Sequence, residues 1–213
     1  MTKVKICGIT EVFHAQAAIE AGADLIGVVL APSPRQVTYD KAQEIVAAVK
    51  KYNLPAVGVF VNMPAATVNT VASSCALDWV QLSGDETWEY CQQIKKPVIK
   101  AIHVSPEWGE EELLAHLESG QRELGFRSPI YLLDTFVEQK YGGTGQAFAW
   151  EIAKQAAVKY PLIIAGGLHP GNVGQVVASL RPWGVDISSG VESQGVKDVE
   201  KIKAFIQAVR AAD

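Results

Sequence analysis

Cys7 stands in "VKICGIT" (4–10), at the exit of the first apolar run. A glycine follows, then a threonine able to cap a helix. A thiol in that place reads in two ways. Cysteine is among the most buried residue types and often packs as a small hydrophobe. A partly exposed thiol near a helix start instead has its pKa lowered toward working pH, and serves as a base or a nucleophile. Asp134, which closes "PIYLLD" (129–134), is either a strand-end turn residue or a general acid. The acid role requires surroundings that raise its pKa, as burial does for a carboxyl. A thiol and a carboxyl with opposite roles make an acid–base pair. Arg35, in "APSPRQV" (31–37), is either a solvated loop cation or a receptor for a carboxylate, whose geometry a guanidinium fork matches. Cys75 and Cys91 sit in helical patterns and read as packing.

Two small-residue turns add a different chemistry. "AGGLHPGNV" (165–173) holds Gly166 and Gly167, and "SSGVE" (188–192) holds Ser188, Ser189 and Gly190. Glycine lets backbone N–H groups come close to an anion, and a helix N-terminus adds partial positive charge. One such turn is only tight geometry. Two turns after consecutive strands point to phosphate, and no lysine is needed because the donors are amides. His14, His103, His116 and His169 lack metal-ligand spacing, and no Cys–His cluster suggests zinc.

These residues need a frame that brings them together. Apolar runs suited to strands fall at 4–7, 25–30, 56–61, 79–82, 97–104, 129–134, 161–165 and 184–188. Helical patterns lie between them, as at 38–51, 64–76 and 197–212. Such alternation implies parallel strands with crossover helices, and eight units close into a barrel. A doubly wound open sheet is the competing arrangement. In a barrel the site lies on the rim where strands end, which gathers Cys7, Asp134 and Ser188–Gly190. Lys5, Lys100 and Asp186 are expected to point inward and to form a polar network there. Long connections are expected at 119–128 and 135–146, and long ordered loops are more often functional than idle.

The 213 residues suit one domain spanning 1–213, able to bury a large core without staples. The net charge of −4 gives no basic footprint for nucleic acid. No apolar run is long enough for a bilayer and no signal-peptide region opens the chain. Three scattered cysteines argue against a disulfide framework, so a cytoplasmic home is expected.

The motifs taken together resemble the phosphoribosylanthranilate isomerases of tryptophan biosynthesis. The resemblance runs over nearly the whole chain: "KICGIT", "GADLIGVVLAPSPRQV", "VGVFVN", "VQLSGDE", "PVIKAI", "LLDT", "GGTGQAFAW", "IIAGGLHPGNV" and "GVDISSGVESQGVKD". It implies a single (βα)8 TIM barrel, with no cofactor and no metal, working on a small phosphorylated substrate as a monomer or homodimer. The implied reaction is the Amadori rearrangement of N-(5-phosphoribosyl)anthranilate to the carboxyphenylamino-deoxyribulose phosphate. Carried over by motif, the base falls on Cys7 and the acid on Asp134. The arginine near the anthranilate moiety falls on Arg35. The phosphate turns fall on Gly166, Gly167, Ser188, Ser189 and Gly190. A lid is expected at "YGGTG" (141–145).

The chain departs from the family pattern in three places. Ser83 occupies a substrate-binding position where histidine is usual. Ala149 stands where aspartate is usual. "GVESQGVKD" is one residue shorter than the common spacing. Rival readings are a histidine-pathway isomerase, which Cys7 at strand one counts against, a metal-dependent epimerase, which lacks its histidines here, and a non-catalytic phosphate-binding barrel.

Overall fold

A computed structural model describes residues 1–125, 129–135 and 150–213. Its strands are β1 (Lys3–Ile6), β2 (Leu25–Val29), β3 (Ala56–Phe60), β4 (Trp79–Leu82), β5 (Val98–Val104), β6 (Ile130–Thr135), β7 (Leu162–Ile164) and β8 (Gly184–Ile187). Each pairs in parallel with the next, and β8 returns to β1 to close the barrel. The closing register sets Lys5 opposite Asp186. The helices are α1 (Val12–Glu20), α2 (Tyr39–Lys50), α3 (Ala65–Ser74), α4 (Trp88–Gln92), α5 (Glu110–Leu124), α6 (Lys154–Lys159), α7 (Val173–Leu180) and α8 (Val199–Ala212). The expected (βα)8 barrel is therefore the fold.

Periodicity explains how the layers form. Alternate strand residues face opposite sides. Leu25, Val57, Ile99, Ala101, Ile130, Leu132, Ile163 and Ala165 form one buried cluster inside the barrel. A larger cluster lies between strands and helices, where α2 contributes Ile45, Val46 and Val49. α8 contributes Ile202, Phe205, Ile206 and Val209, each side chain stabilising by about 1.5–3 kcal/mol on burial. Caps fix the helix starts: the Thr38 hydroxyl accepts from the Lys41 N–H, and the Asp198 carboxylate from those of Glu200 and Lys201.

Three expectations need correction. The connection expected at 119–128 is helical as far as Leu124. Leu113, Leu117, Gly120 and Leu124 form one buried stripe along that helix. Gly120 is small because Trp88 packs on it; a Cβ there would meet the indole at 2.9 Å. Lys100 does not point into the barrel. Its neighbours Ile99 and Ala101 do, so alternation turns Lys100 outward, where its Nζ meets Glu86 at 2.9 Å and the Gly84 carbonyl at 2.7 Å. α1 starts at Val12 behind Glu11, which makes no side-chain cap, so Thr10 is not the cap.

A further element was not foreseen. "GVESQGVKD" forms a small antiparallel hairpin, β9 (Glu192–Ser193) and β10 (Val196–Lys197). Its turn places Gln194 and Gly195 at φ 54 and 80. The register sets Lys197 directly opposite Glu192.

The chain ends are tied together. The Thr2 N–H and hydroxyl donate to the Asp213 carboxylate. Arg210 donates to the Thr2 carbonyl and to Asp24, which also accepts from the Val4 N–H. No helix among the described residues is long and apolar enough to cross a membrane.

Candidate active site

Cys7 lies one residue past β1, with its N–H donated to the Ile187 carbonyl at 2.8 Å. It is buried, with 6 % of its surface exposed. The expectation of a partly exposed thiol with a lowered pKa therefore needs correction. Burial pushes the thiol above its ordinary value of 9.0; the Lys5 ammonium pulls it back and Asp186 pushes it up again. The start of α1 is five residues further on, so no helix terminus abuts the sulfur.

Lys5 and Asp186 face the barrel interior as expected, with Nζ and Oδ1 2.9 Å apart. Burial alone would lower the Lys5 pKa, but Asp186 and Cys7 outweigh it and hold the ammonium above 10.5. Gly27 shows how tightly this group is packed. A Cβ there would stand 2.9 Å from the Cys7 Sγ and 3.2 Å from the Lys5 Nζ.

Asp134 ends the inner face of β6 and is buried. It lines a hollow of about 50 Å³ with Asp186, Gly166, Gly167, Ser188 and Gly190. Ser189 lines it too. The acid candidate and both small-residue turns thus share one space. Gly166 and Gly167 adopt left-handed conformations, φ 77 and 64. No carbonyl among the described residues accepts either N–H, which leaves both donors for an anion. Gly190 locks the two turns together, since a Cβ there would lie 2.0 Å from the Leu168 carbonyl oxygen.

Arg35 reaches the same rim from the β2–α2 connection. Its guanidinium is half-buried and ion-paired: Nε and Nη2 donate to the two carboxylate oxygens of Glu192 at 2.6 and 2.7 Å. Ser83 lies apart from that hollow, at the end of β4. Its hydroxyl accepts from the Gln81 amide at 3.0 Å, and its carbonyl is 3.0 Å from the His103 Nε2. An imidazole is therefore present beside Ser83, carried by β5, in register with Asp134. A larger hollow of about 380 Å³ opens between α4, α5 and the end of β5, walled by Trp88, Trp108 and His116. It touches none of the acid, base or phosphate candidates.

Sequence reasoning passed over Glu192, Lys197 and Gly8. The Lys197 Nζ is bonded to Glu192 at 2.5 Å and to the Ser188 carbonyl and hydroxyl at 2.9 and 3.2 Å. The signal was the charge pair flanking the "SQGV" turn, legible only once that turn is read as a hairpin. The lid expected at 141–145 and Ala149 lie outside the described residues. Among the described residues, no group of three or more His, Cys, Asp or Glu side chains is placed to hold a metal ion.

The family model described as N-(5'phosphoribosyl)anthranilate (PRA) isomerase matches residues 4–208. The N-(5'-phosphoribosyl)anthranilate isomerase of Dehalococcoides mccartyi is 48% identical over 100% of this chain and 98% of its own length. The crystal structure of phosphoribosyl anthranilate isomerase from Thermotoga maritima superposes with a TM-score of 0.86 at 36% identity, over 99% of this chain and 100% of that one. A phosphoribosyl anthranilate isomerase was also solved in complex with reduced 1-(o-carboxyphenylamino)-1-deoxyribulose 5-phosphate. It gives a TM-score of 0.83 at 35% identity, again over 99% and 100% of the two chains. With the family's model spanning the barrel from β1 into α8, this chain belongs to the N-(5'-phosphoribosyl)anthranilate isomerase family.

Proposed function

We propose that Cys7 and Asp134 are the base and the acid with which this isomerase of tryptophan biosynthesis rearranges N-(5'-phosphoribosyl)anthranilate. The observation that carries the assignment is the hollow where Asp134 faces the turns at Gly166–Gly167 and Ser188–Gly190, with the β1–β8 pairing ending at Ile6 and Ile187, one residue before Cys7 and Ser188. The phosphate sits against those amides, far from the bonds that change, and its binding energy holds the opened sugar in place. Arg35 receives the anthranilate carboxylate, and Ser83 borders the same ligand with His103 behind it.

Asp134 gives its proton to the ribose ring oxygen, and the ring opens to a protonated imine. The imine's positive charge acidifies the C2–H bond. Cys7 as thiolate takes that proton, and the resulting enolamine tautomerises to the aminoketone. A raised thiol pKa makes the ionised sulfur the stronger base while reducing the fraction that is ionised. The Lys5 ammonium and the cationic imine both favour the thiolate form. Each proton-transfer group contributes about 10²–10⁴-fold, or roughly 3–5 kcal/mol of barrier. We read residues 1–213 as one catalytic domain. The cytoplasm suits its three free cysteines.

The test follows the loss of anthranilate-type fluorescence as freshly made substrate turns over. Cys7→Ser and Asp134→Asn are each expected to lower kcat by about a hundredfold or more, with binding of a phosphate ligand kept. Near-normal turnover in both variants would remove the acid–base assignment.

A further inference from the structure

Arg35 and the phosphate turn are joined by side chains that the acid–base chemistry does not use. Glu192 is the centre of this strut. Its side chain is 7 % exposed and accepts from three donors: Arg35 Nε, Arg35 Nη2 and Lys197 Nζ. Lys197, 2 % exposed at its side chain, passes the connection to Ser188. Burial pushes the Glu192 carboxyl up, but the bonds from Arg35 and Lys197 outweigh this and hold it below its ordinary value.

Gly8 closes the arrangement from below. It follows Cys7, has φ +71, and lies so close that a Cβ would stand 2.6 Å from the Arg35 Cδ and 2.8 Å from the Ser188 hydroxyl. The arginine stem therefore lies across the backbone next to Cys7, beside the phosphate turn. A guanidinium carries five N–H donors in a rigid plane. Glu192 takes the side edge, Nε and Nη2, which leaves the end edge that includes Nη1. One carboxylate between two cations also leaves this cluster with a net positive charge, suited to a second carboxylate.

We propose that Glu192 is a positioning residue for substrate recognition: it grips Arg35 by the side edge, aims the opposite edge at the substrate's carboxylate, and through Lys197 fixes that edge relative to the turn holding the phosphate. This rests on the isomerase reading and adds to it a ruler for the distance between the two anionic ends of the substrate. Without Glu192 the arginine stem rotates, and the carboxylate loses its receptor while the phosphate keeps its own.

The experiment measures calorimetric binding of two ligands to the full chain and to Glu192→Gln. One is reduced 1-(o-carboxyphenylamino)-1-deoxyribulose 5-phosphate; the other is the same molecule with an unsubstituted phenyl ring. Charge-assisted hydrogen bonds of this kind correspond to about a ten- to hundredfold change in affinity. Glu192→Gln is expected to weaken the carboxylated ligand by about that factor and the phenyl ligand by less than about threefold. In turnover, KM rises by more than kcat falls. Equal weakening of both ligands would mean general damage to the rim, and no weakening of either would mean that Arg35 aims itself; both results overturn the proposal. Glu192→Asp, too short to hold both guanidinium nitrogens, repeats the comparison should the first variant not fold, and is expected to show the same selective loss. If the unmodified chain binds neither ligand, the isomerase reading fails first and this inference fails with it.

Discussion

Removing the charge of Lys5 tests how a buried thiol can work as a base. In Lys5→Met the ammonium is lost while Asp186 stays. The geometry at Gly27 places the Cys7 Sγ and the Lys5 Nζ within about 6 Å of each other. At that separation and an effective dielectric constant near 20, the attraction between thiolate and ammonium is about 3 kcal/mol, a factor of roughly a hundred in the ionisation equilibrium. Cys7 is already pushed above 9.0 by burial, with Lys5 the strongest influence in the other direction. Loss of Lys5 therefore moves the thiol further up. Because the thiolate is the form that reacts, kcat/KM near neutral pH is expected to fall by about ten- to a hundredfold. The deficit should shrink as pH rises, with the ionisation limb displaced to higher pH. A lone buried Asp186 carries its own cost, about 3–5 kcal/mol for breaking a buried pair. Lys5→Met with Asp186→Asn removes both charges together and separates that cost from the effect on sulfur. The thiolate's ultraviolet absorbance, taken as the difference from Cys7→Ser, reports the ionisation without any substrate. Because Asp186 raises the thiol and Lys5 lowers it, an ionisation limb in the folded double variant no higher than in Asp186→Asn alone would refute the reasoning and leave Lys5 as a structural ion pair.

Other expectations follow from the same structure. Gly8→Ala meets both a left-handed backbone, costing about 1–2 kcal/mol, and the Arg35 and Ser188 side chains; thermal unfolding should show the loss, and KM should rise. Burial pushes Asp24 up, but its bonds to the Val4 N–H, Lys3 and Arg210 outweigh this and hold it below 3.8. That carboxylate therefore contributes stability above its unfolded value, lost as pH falls through the folded one. Asp24→Asn should cost roughly 1 kcal/mol at neutral pH, allowing for its partial exposure, and flatten the acid limb of a denaturation series. Phe205→Ala, at a fully buried position of α8, should cost about 3–5 kcal/mol in chemical denaturation without altering KM.

The barrel was legible because its signal is local. Eight short apolar runs separated by 3.6-period stretches leave few topologies, and the observed strands fall within a residue or two of those runs. The rim followed from chain direction alone, which placed Asp134 and the two turns in one space. What escaped depends on contacts between distant residues. Gly120 looks like a helix breaker until Trp88 is seen against it. Lys100 was assigned inward because a period-2 pattern gives two faces without saying which is which; its partner Glu86 lies in a different connection. Cys7 was expected near a helix start, yet its surroundings are set by Lys5 and Asp186, whose pairing needs β1 to meet β8 across the closed barrel. Glu192 and Lys197 face each other across one short hairpin, but their meaning comes from Arg35 on the far side of the sequence.

The measurement closest to the centre of this account is the single-turnover rate of Cys7→Ser with bound substrate, where product release plays no part. The sulfur's role as the group that takes the C2 proton requires a rate lower by about a hundredfold or more, with affinity for the reduced product analogue unchanged. A serine variant that rearranges bound substrate as fast as the unmodified chain would contradict it.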